Sequence, residues 1–222
     1  LSRDTMCEFQ RLNPDGAERD RAYGQLALAF SYGEGKEKSC EITKDAVSRI
    51  MSELPIRSCS ALYLNGLRAL NDAVGGVRVT ILEDLDYKDP AMQKGAEVTL
   101  DGKMAERYIR ARERTPQGNL NRMERQKQYV KALMKKAMEQ IKKNPESILD
   151  IYNSIKNEVV TDLTTGEMLY LATAAANMTI APEIRTVPGE VRMSADNYVQ
   201  YDIDEAGLLE LLLSVYYIEC EE

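Results

Sequence analysis

The sequence predicts an α/β fold in which helices cover both faces of one sheet. Segments with the alternating apolar pattern of strands interleave with segments of helical spacing along the chain. Of the 222 residues, 44% are hydrophobic and 29% are charged, which is the composition of an ordinary globular protein with a sizeable core. No linker rich in glycine, serine or proline and no internal repeat interrupts the sequence. We therefore expect a single domain over residues 1–222.

The first part of the chain is predicted to alternate strands with short helices. Thr43 is a suitable N-cap for the helix that follows it, and Pro55 ends that helix. The glycine pair at 75 and 76 marks the end of the next helix. In chain order, the predicted elements are a strand at Leu1–Phe9, a polar loop at Asn13–Arg21, helices at Tyr23–Tyr32 and Lys44–Leu54, a strand at Ser58–Leu64, a helix at Asn65–Val74 and a strand at Val77–Leu82.

The second part is predicted to be richer in helix. Asp101 is a suitable cap for a helix that ends near Arg110, and Pro145 separates a long helix from the next one. In chain order, the predicted elements are a strand at Ala96–Leu100, the helix after Asp101, a turn at Thr115–Gly118, helices at Leu120–Lys143 and Glu146–Val159, a helix from Thr164 to Met178, extended segments at Glu183–Pro188 and Arg192–Met193, and a final helix at Glu205–Tyr217.

The composition excludes several kinds of site. The chain has no histidine, which excludes a Ser-His-Asp triad, a Cys-His pair and a histidine-ligated metal. Its formal net charge of −7 argues against a general nucleic-acid binder, because such proteins carry excess positive charge. The longest apolar run, Leu208–Val215, is too short to cross a membrane. Because the chain begins at Leu1 in a strand-like segment, we expect it to be a piece of a longer protein.

The cysteines show no C-x-x-C spacing, so a zinc or redox motif is not indicated. The four cysteines are compatible with two disulfides, one or none, and buried free thiols are the simplest alternative. If the protein is exported, a bridge between Cys40 and Cys59 is favoured, because these residues flank one short helix. The four are Cys7, Cys40, Cys59 and Cys220.

Arginines gather around a predicted Pro-Gln-Gly turn, which is unusual in an acidic protein. A guanidinium is a planar donor that can grip two phosphate oxygens at once. Arg122, Arg125 and Gln126 are spaced to share the first turns of a helix, whose N-terminus would favour an anion. Solvated arginines paired with nearby acids are the alternative. The cluster consists of Arg107, Arg110, Arg112, Arg114, Arg122 and Arg125, and the nearby acids are Glu106, Glu113 and Glu124.

The ordered residues around this cluster resemble the signature of the LytR-CpsA-Psr family. Shorter stretches elsewhere resemble other segments of the family, so the likeness covers nearly the whole chain. It implies a three-layer α-β-α fold with a central mixed sheet. The main match comprises Asp101-Gly102, Tyr108-Ile109-Arg110-Ala111-Arg112, Asn119, Arg122 and Arg125-Gln126, and the shorter ones are Ser2–Thr5, Ala29–Gly33, Asp72–Val77 and Thr186–Gly189.

The resemblance implies a phosphotransferase that moves a glycopolymer, such as a teichoic acid or capsular polysaccharide, from a polyprenyl pyrophosphate carrier to peptidoglycan. Family members are extracytoplasmic enzymes of bacteria with Gram-positive-type walls, anchored to the membrane by a segment that this chain lacks. Mg²⁺ is implied as a cofactor, and nucleic acid is not expected as a partner. The implied catalytic residues are Arg3, Arg110, Arg112 and Asn119, and the implied pyrophosphate-binding residues are Arg122, Gln126, Arg125 and Asp4.

The chain departs from the family pattern in ways that bear on catalysis. The family has an acidic residue and an R-S-D-T strand upstream of the segment matched by Ser2–Thr5, and these acids are associated with the metal. This chain has no counterpart, so we expect no metal ligands within it. Asn119 replaces the usual aspartate, and a neutral amide is neither a base nor a strong metal ligand. A non-catalytic relative that binds the carrier lipid or wall polymer, and a cytoplasmic α/β protein with a basic patch, are therefore the alternatives.

Overall fold

The structure is a computed structural model that describes residues 1–112, 116–179 and 184–217. Strands and helices alternate along these residues, which confirms the predicted α/β class. The strands are β1 (Met6–Leu12), β2 (Glu18–Gln25), β3 (Ser60–Leu62), β4 (Val77–Thr80), β5 (Glu97–Leu100), β6 (Val159–Thr161), β7 (Gly189–Met193) and β8 (Val199–Ile203). The helices are α1 (Leu26–Ser31), α2 (Glu37–Ile50), α3 (Leu64–Ala73), α4 (Gly102–Arg110), α5 (Pro116–Lys143), α6 (Ser147–Ile155), α7 (Thr165–Ala176) and α8 (Glu205–Tyr216).

Hydrogen bonds join the described strands in pairs: β1 with β2, β3 with β6, β4 with β5, and β7 with β8. The ladders of β1–β2, β4–β5 and β7–β8 are antiparallel. A parallel bridge joins Thr5 and Tyr201, so the described strands include both antiparallel and parallel pairing. The chain divides into two compact units, and the prediction of one domain over residues 1–222 stays a prediction.

The first unit comprises the described parts of Leu1–Ser60, Val160–Asp162 and Arg185–Glu222. The β1–β2 hairpin packs its apolar side chains against α1 and α2, so that Phe9 is 2% exposed. Tyr201 N donates to Asp4 O at 2.8 Å, which ties the start of the chain to β8. Leu208 and Leu212 of α8 are buried in a smaller apolar cluster.

The second unit comprises the described parts of Ala61–Val159 and Leu163–Ile184. Its core lies among α3, the β4–β5 pair, α4 and the long helix α5. Polar groups inside this core are satisfied: Tyr129 Oη donates to Asn71 Oδ1 at 3.0 Å, and Asn71 Nδ2 donates to Leu100 O at 2.9 Å. Because buried polar groups are costly unless paired, this chain of bonds fixes α3, α5 and β5 in one arrangement.

Several predicted boundaries in the first unit are wrong. Thr43 does not cap a helix but lies inside α2, where its hydroxyl donates to Ser39 O at 2.8 Å. The helix begins at Glu37, after a glycine turn in which Gly35 N donates to Ser39 Oγ at 2.8 Å. The predicted polar loop at Asn13–Arg21 contains the start of β2, whose charged residues are exposed and give no alternating apolar pattern. Strand β8 was not predicted at all.

The predicted turn at Thr115–Gly118 is also wrong over the residues described there. Helix α5 begins at Pro116, four residues before the predicted start at Leu120. Proline is well suited to the first helical position, because its fixed φ fits a helix and its missing N–H has no partner there in any case. The turn-like composition therefore belongs to the beginning of a helix.

The cysteines within the described residues are free thiols, so the expected Cys40–Cys59 bridge is absent there. Cys7 and Cys40 are buried, and the Cys59 thiol lies within hydrogen-bonding reach of Cys40. Burial raises the pKa of both Cys7 and Cys59 to about 11, which keeps these thiols protonated at neutral pH. Cys220 lies outside the described residues.

None of the helices formed by residues 1–112, 116–179 and 184–217 is both long enough and apolar enough to span a bilayer.

The crossing of α3 and α4 predicts the effect of one substitution. A Cβ atom at Gly102 would come within 2.6 Å of Arg68 O and 2.9 Å of Arg68 Cα, which are backbone atoms that no rotamer change can move. We expect Gly102→Ala to lower the free energy of unfolding by about 1–3 kcal/mol, as overpacked cores do. Urea denaturation followed by circular dichroism measures this loss.

Gly166 provides the matched control, because it also lies inside a helix but has no atom within 4 Å of a built Cβ. Gly166→Ala should leave stability unchanged or raise it by up to about 1 kcal/mol, since alanine has the higher helix propensity. Equal destabilisation by the two substitutions would contradict the close approach of α3 and α4.

Candidate functional site

Helix α4 carries the first arginines of the predicted cluster, and its start is fixed by two carboxylates. Asp101 caps the helix as predicted, since its carboxylate accepts from Met104 N at 2.8 Å. Gly102 N donates to Asp72 Oδ1 at 2.7 Å, which ties α4 to α3. One face of α4 is buried against the core and consists of Gly102, Ala105 and Tyr108. A second face carries Lys103, Glu106, Arg107 and Arg110.

The end of α4 is held by Arg125, which projects from α5 and is 1% exposed. Its Nε donates to Tyr108 O at 3.0 Å, and its Nη2 donates to Ala111 O. Its Nη1 forms an ion pair with Glu83, in the segment after β4. Desolvation by burial lowers the pKa of Arg125. The sequence predicted that Arg125 binds a pyrophosphate, but in the structure its guanidinium contacts protein groups.

The neighbouring residues of α5 have different surroundings. Gln126 is exposed, and its Nε2 donates to Ile109 O at 3.2 Å, so it reinforces the same helix end. Arg122 is buried, at 7% exposure. Because α5 begins at Pro116, Arg122 and Arg125 lie together on this helix in its second and third turns, about one turn further from its N-terminus than predicted.

Arg110 and Arg112 lie on either side of the end of α4. The helix ends at Arg110, and Ala111 has an extended backbone with ψ of 131°. This confirms the prediction that the helix ends near Arg110. Both arginines are exposed. Glu113 and Arg114 lie outside the described residues, and so does the side chain of Asn119.

Glu106 joins two cationic side chains on the second face of α4. Arg110 Nη1 donates to Glu106 Oε1 at 2.7 Å, and Arg68, from α3, donates to Glu106 Oε2. These bonds, first that of Arg68 and then that of Arg110, lower the pKa of the Glu106 carboxyl, which is therefore ionised at neutral pH. Arg110 therefore has the acidic partner, Glu106, that the alternative of solvated surface arginines predicts.

A cleft with a volume of about 540 Å³ opens along this face of α4. Cationic side chains from α3, α4 and the segment after β4 surround it, and Glu106 is the acidic side chain among its lining residues. Arg107 on its wall donates from Nη1 to Asp89 Oδ2 at 3.1 Å. The lining residues are Arg68, Lys88, Lys103, Glu106, Arg107, Arg110 and Ala111. We call this space the α4 cleft.

The remaining predicted site residues, Arg3 and Asp4, belong to the first compact unit. Asp4 is buried, and its Oδ1 accepts from Gln25 Nε2 at 3.2 Å. The Arg3 side chain is 60% exposed, and its Nε lies 3.6 Å from Asp4 Oδ1. Asp4 thus holds the exposed Arg3 guanidinium by charge.

Sequence reasoning missed three members of the α4 cleft: Arg68, Lys88 and Lys103. Lys103 was detectable, because it continues the row of Arg107 and Arg110 by one helical turn. Arg68 and Lys88 come from separate elements, and no local pattern connects them with α4. No group of three acidic or cysteine side chains that could hold a metal occurs within residues 1–112, 116–179 and 184–217.

Comparison with known proteins gives a consistent result. A family model described as the LytR_cpsA_psr family matches residues 1–213. The chain is 29% identical over 131 residues to the polyisoprenyl-teichoic acid–peptidoglycan teichoic acid transferase TagU of Bacillus subtilis, covering 58% of this chain and 40% of the relative. It is also 29% identical over 181 residues to the protein of the same name from Bacillus mycoides, covering 81% and 56%. The chain spans about half the length of these curated relatives.

Solved structures show the same fold. The structure of TagT bound to LI-WTA matches 96% of this chain and 75% of its own, with a TM-score of 0.69 and 18% identity. The crystal structure of B. subtilis TagU matches 100% of this chain and 86% of its own, with a TM-score of 0.64 and 20% identity.

The buried position of Arg125 predicts a large loss of stability on substitution. Arg125→Met removes the guanidinium, so two backbone carbonyls lose their donor, and Glu83 loses its cation but keeps the bond from Asn121 Nδ2 at 2.8 Å. We expect the free energy of unfolding to fall by about 3–5 kcal/mol, as when one partner of a buried ion pair is removed. Urea denaturation monitored by circular dichroism measures this change.

Arg78→Met is the control, because Arg78 pairs with Glu97 in the same unit but its side chain is 70% exposed. Its substitution should change stability by less than about 1 kcal/mol. If Arg125→Met were as mild as Arg78→Met, Arg125 would not hold the end of α4.

Proposed function

The chain belongs to the LytR-CpsA-Psr family, and on this basis we propose that it is part of a transferase that attaches a glycopolymer to peptidoglycan. The curated relatives are named as teichoic acid transferases, and a structurally similar protein is bound to LI-WTA. We propose a polyprenyl pyrophosphate as the carrier, and a teichoic acid or a wall or capsular polysaccharide as the polymer. Since peptidoglycan lies outside the cytoplasm, the full-length protein is proposed to act there while anchored to the membrane.

The observation that carries this proposal is the arrangement of arginines at the end of α4. Arg110 and Arg112 are exposed on either side of the helix end. The backbone before and between them is fixed, because Arg125 and Gln126 donate to the carbonyl groups of residues 108, 109 and 111. Guanidinium groups held on a fixed backbone can neutralise a pyrophosphate with little reorganisation, which is the condition for stabilising a phosphoryl-transfer transition state.

In the proposed reaction, a hydroxyl group of peptidoglycan attacks the phosphorus atom that bears the polymer. The bond from this phosphorus to the bridging oxygen breaks, and polyprenyl monophosphate leaves with the electron pair of that bond. Arg110 and Arg112 are proposed to stabilise the charge on the transferred phosphoryl group and on the bridging oxygen, with Arg122 in a binding role. The hydroxyl proton must pass to a general base, for which the amide of Asn119 is unsuited.

The roles of Arg3, Asp4 and Mg²⁺ are proposed from the family resemblance. Asp4 would orient Arg3, whose Nε lies 3.6 Å from its carboxylate. The described residues do not fit a metal site, because they contain no suitable group of three acidic or cysteine side chains. The ligands of Mg²⁺ would therefore come from outside the described residues, and the metal would supply charge neutralisation at the phosphates.

A non-catalytic relative that binds the polyprenyl-linked polymer is the second candidate. Two observations favour it: the neutral amide of Asn119 at the position of the family acid, and the lack of a metal-binding group within the described residues. Both candidates require anion binding by the arginines, and they differ in turnover.

Substitution of the exposed arginines tests whether they bind the pyrophosphate, which both candidate functions require. Arg110→Ala and Arg112→Ala should each weaken the binding of farnesyl pyrophosphate by about 10-fold or more, because each removes a charge-assisted contact worth about 1.5–3 kcal/mol. Isothermal titration calorimetry on the chain measures this affinity.

Arg78→Ala is the matched control for charge, since Arg78 is an exposed arginine of the same unit outside the proposed site. Its affinity for farnesyl pyrophosphate should equal that of the unmodified chain. Unchanged binding in both Arg110→Ala and Arg112→Ala would refute the proposed function.

Asn119→Asp distinguishes the enzyme from the binding relative. An aspartate supplies a carboxylate that can accept a proton or bind a metal, so polymer transfer by the full ectodomain should rise in this variant if the scaffold is catalytically competent. Release of polyprenyl phosphate from a lipid-linked polymer measures turnover. No turnover in either form, with intact carrier binding, would favour the non-catalytic relative.

A further inference from the structure

The α4 cleft concentrates positive charge in a protein whose net charge is −7. Its cationic residues come from α3, from the segment after β4 and from three positions on α4, whereas Glu106 is the carboxylate among the lining residues. Like charges gathered in a concave space reinforce one another and raise the local concentration of anions. Two carboxylates, Glu106 and Asp89, pair with three of its five cations, so the cleft keeps an excess of positive charge that favours an anionic ligand.

Glu106 organises the cleft without neutralising it. One carboxylate bonds both Arg68 and Arg110, so a single negative charge holds two guanidinium groups near each other. Each guanidinium has five N–H donors, and one carboxylate oxygen engages only part of them. The two side chains are 44% and 60% exposed, which leaves donor groups accessible to a ligand.

The shape of the cleft indicates a ligand with more than one phosphate group. Lys103, Arg107 and Arg110 are spaced i, i+4 and i+7, so they form a row about 10 Å long on one face of α4. Lys88 adds a flexible ammonium from another segment, whose backbone is held by the bond from Lys88 N to Leu85 O at 2.8 Å. The volume of about 540 Å³ lies within the range of pockets for extended small molecules.

The lining argues against a lipid tail in this space. Ala111 is the apolar residue among those that line the cleft, and it is almost fully buried. A chain of isoprene units needs an apolar surface, whereas phosphodiesters need cations and N–H donors. The occupant that fits is a flexible polyanion.

We propose that the α4 cleft binds the phosphodiester backbone of the polymer, next to the carrier pyrophosphate. This inference rests on the proposed function, which places the pyrophosphate at Arg110 and Arg112. Arg110 lies both at the end of α4 and in the wall of the cleft, so the two sites are contiguous.

The test is the affinity of the chain for a fluorescent synthetic hexamer of glycerol phosphate, measured by anisotropy over a range of salt concentrations. The double substitution Lys88→Gln/Lys103→Gln should weaken binding by about 10-fold and flatten the salt dependence, because each lost phosphate contact reduces counterion release. The control Lys94→Gln/Lys136→Gln changes the net charge equally, at exposed lysines that do not line the cleft. It should leave the affinity within about twofold.

Three results would overturn the inference. Equal weakening by the two double substitutions would mean that the polymer responds only to net charge. Unchanged binding in both would place it elsewhere. Displacement of the hexamer by inorganic phosphate at an equal concentration of phosphate groups would show a site for a single free phosphate instead of a polymer.

A second ligand separates this inference from the proposed function. Farnesyl pyrophosphate lacks a polymer, so its affinity should fall in Arg112→Ala and stay unchanged in Lys88→Gln/Lys103→Gln. If neither Arg110→Ala nor Arg112→Ala affected farnesyl pyrophosphate while the cleft variant still lost the hexamer, the proposed function would fail and the polyanion site would remain. If Arg112→Ala weakened the binding of farnesyl pyrophosphate but the cleft variant kept its affinity for the hexamer, the polyanion site alone would be refuted.

Discussion

The burial of one charged group, Arg125, determines how the candidate site is built. An ionised side chain with 1% exposure persists only if protein groups replace the water it has lost, and here a carboxylate and two backbone carbonyls do so. These partners come from the segment after β4 and from the end of α4, while Arg125 itself belongs to α5. A single guanidinium thus joins three parts of the second unit. The positions of Arg110 and Arg112 depend on these bonds, because both residues lie on the stretch of backbone that Arg125 holds.

Helix α4 serves two purposes because its residues divide between two faces. Small residues on one face allow close approach to α3, where Gly102 lies against the backbone of Arg68. The same contact brings the Arg68 side chain beside Glu106, which lies one helical turn after Gly102. Packing and electrostatics are therefore coupled: the absence of a side chain at one position permits the convergence of cations at another. Glu106 then limits the repulsion between them, since its lowered pKa keeps it ionised.

The sequence predicts best where local chemistry determines the structure. The segment from α3 to α4 was placed within a few residues, because glycines at 75 and 76 end one helix and Asp101 caps the next. Prediction was poorer where distant residues decide the outcome. Strand β8 pairs with β7, and Thr5 near the start of the chain forms a bridge to it. Neither contact produces a recognisable pattern in the local sequence. The candidate site follows the same rule. The motif predicts Arg110 and Arg112 as site residues, whereas the inward direction of Arg125 and the approach of Lys88 depend on tertiary contacts.

Anion binding by arginines does not by itself amount to catalysis. A fixed cluster of cations that holds the carrier pyrophosphate equally in the ground state and in the transition state improves binding and leaves the rate of the chemical step unchanged. Acceleration requires interactions that strengthen as the bridging oxygen gains charge, together with a group that removes the proton of the acceptor. The end of α4 supplies donors for the first requirement. Position 119 is an amide, so the proposed transfer requires a base that neither these arginines nor this residue provides.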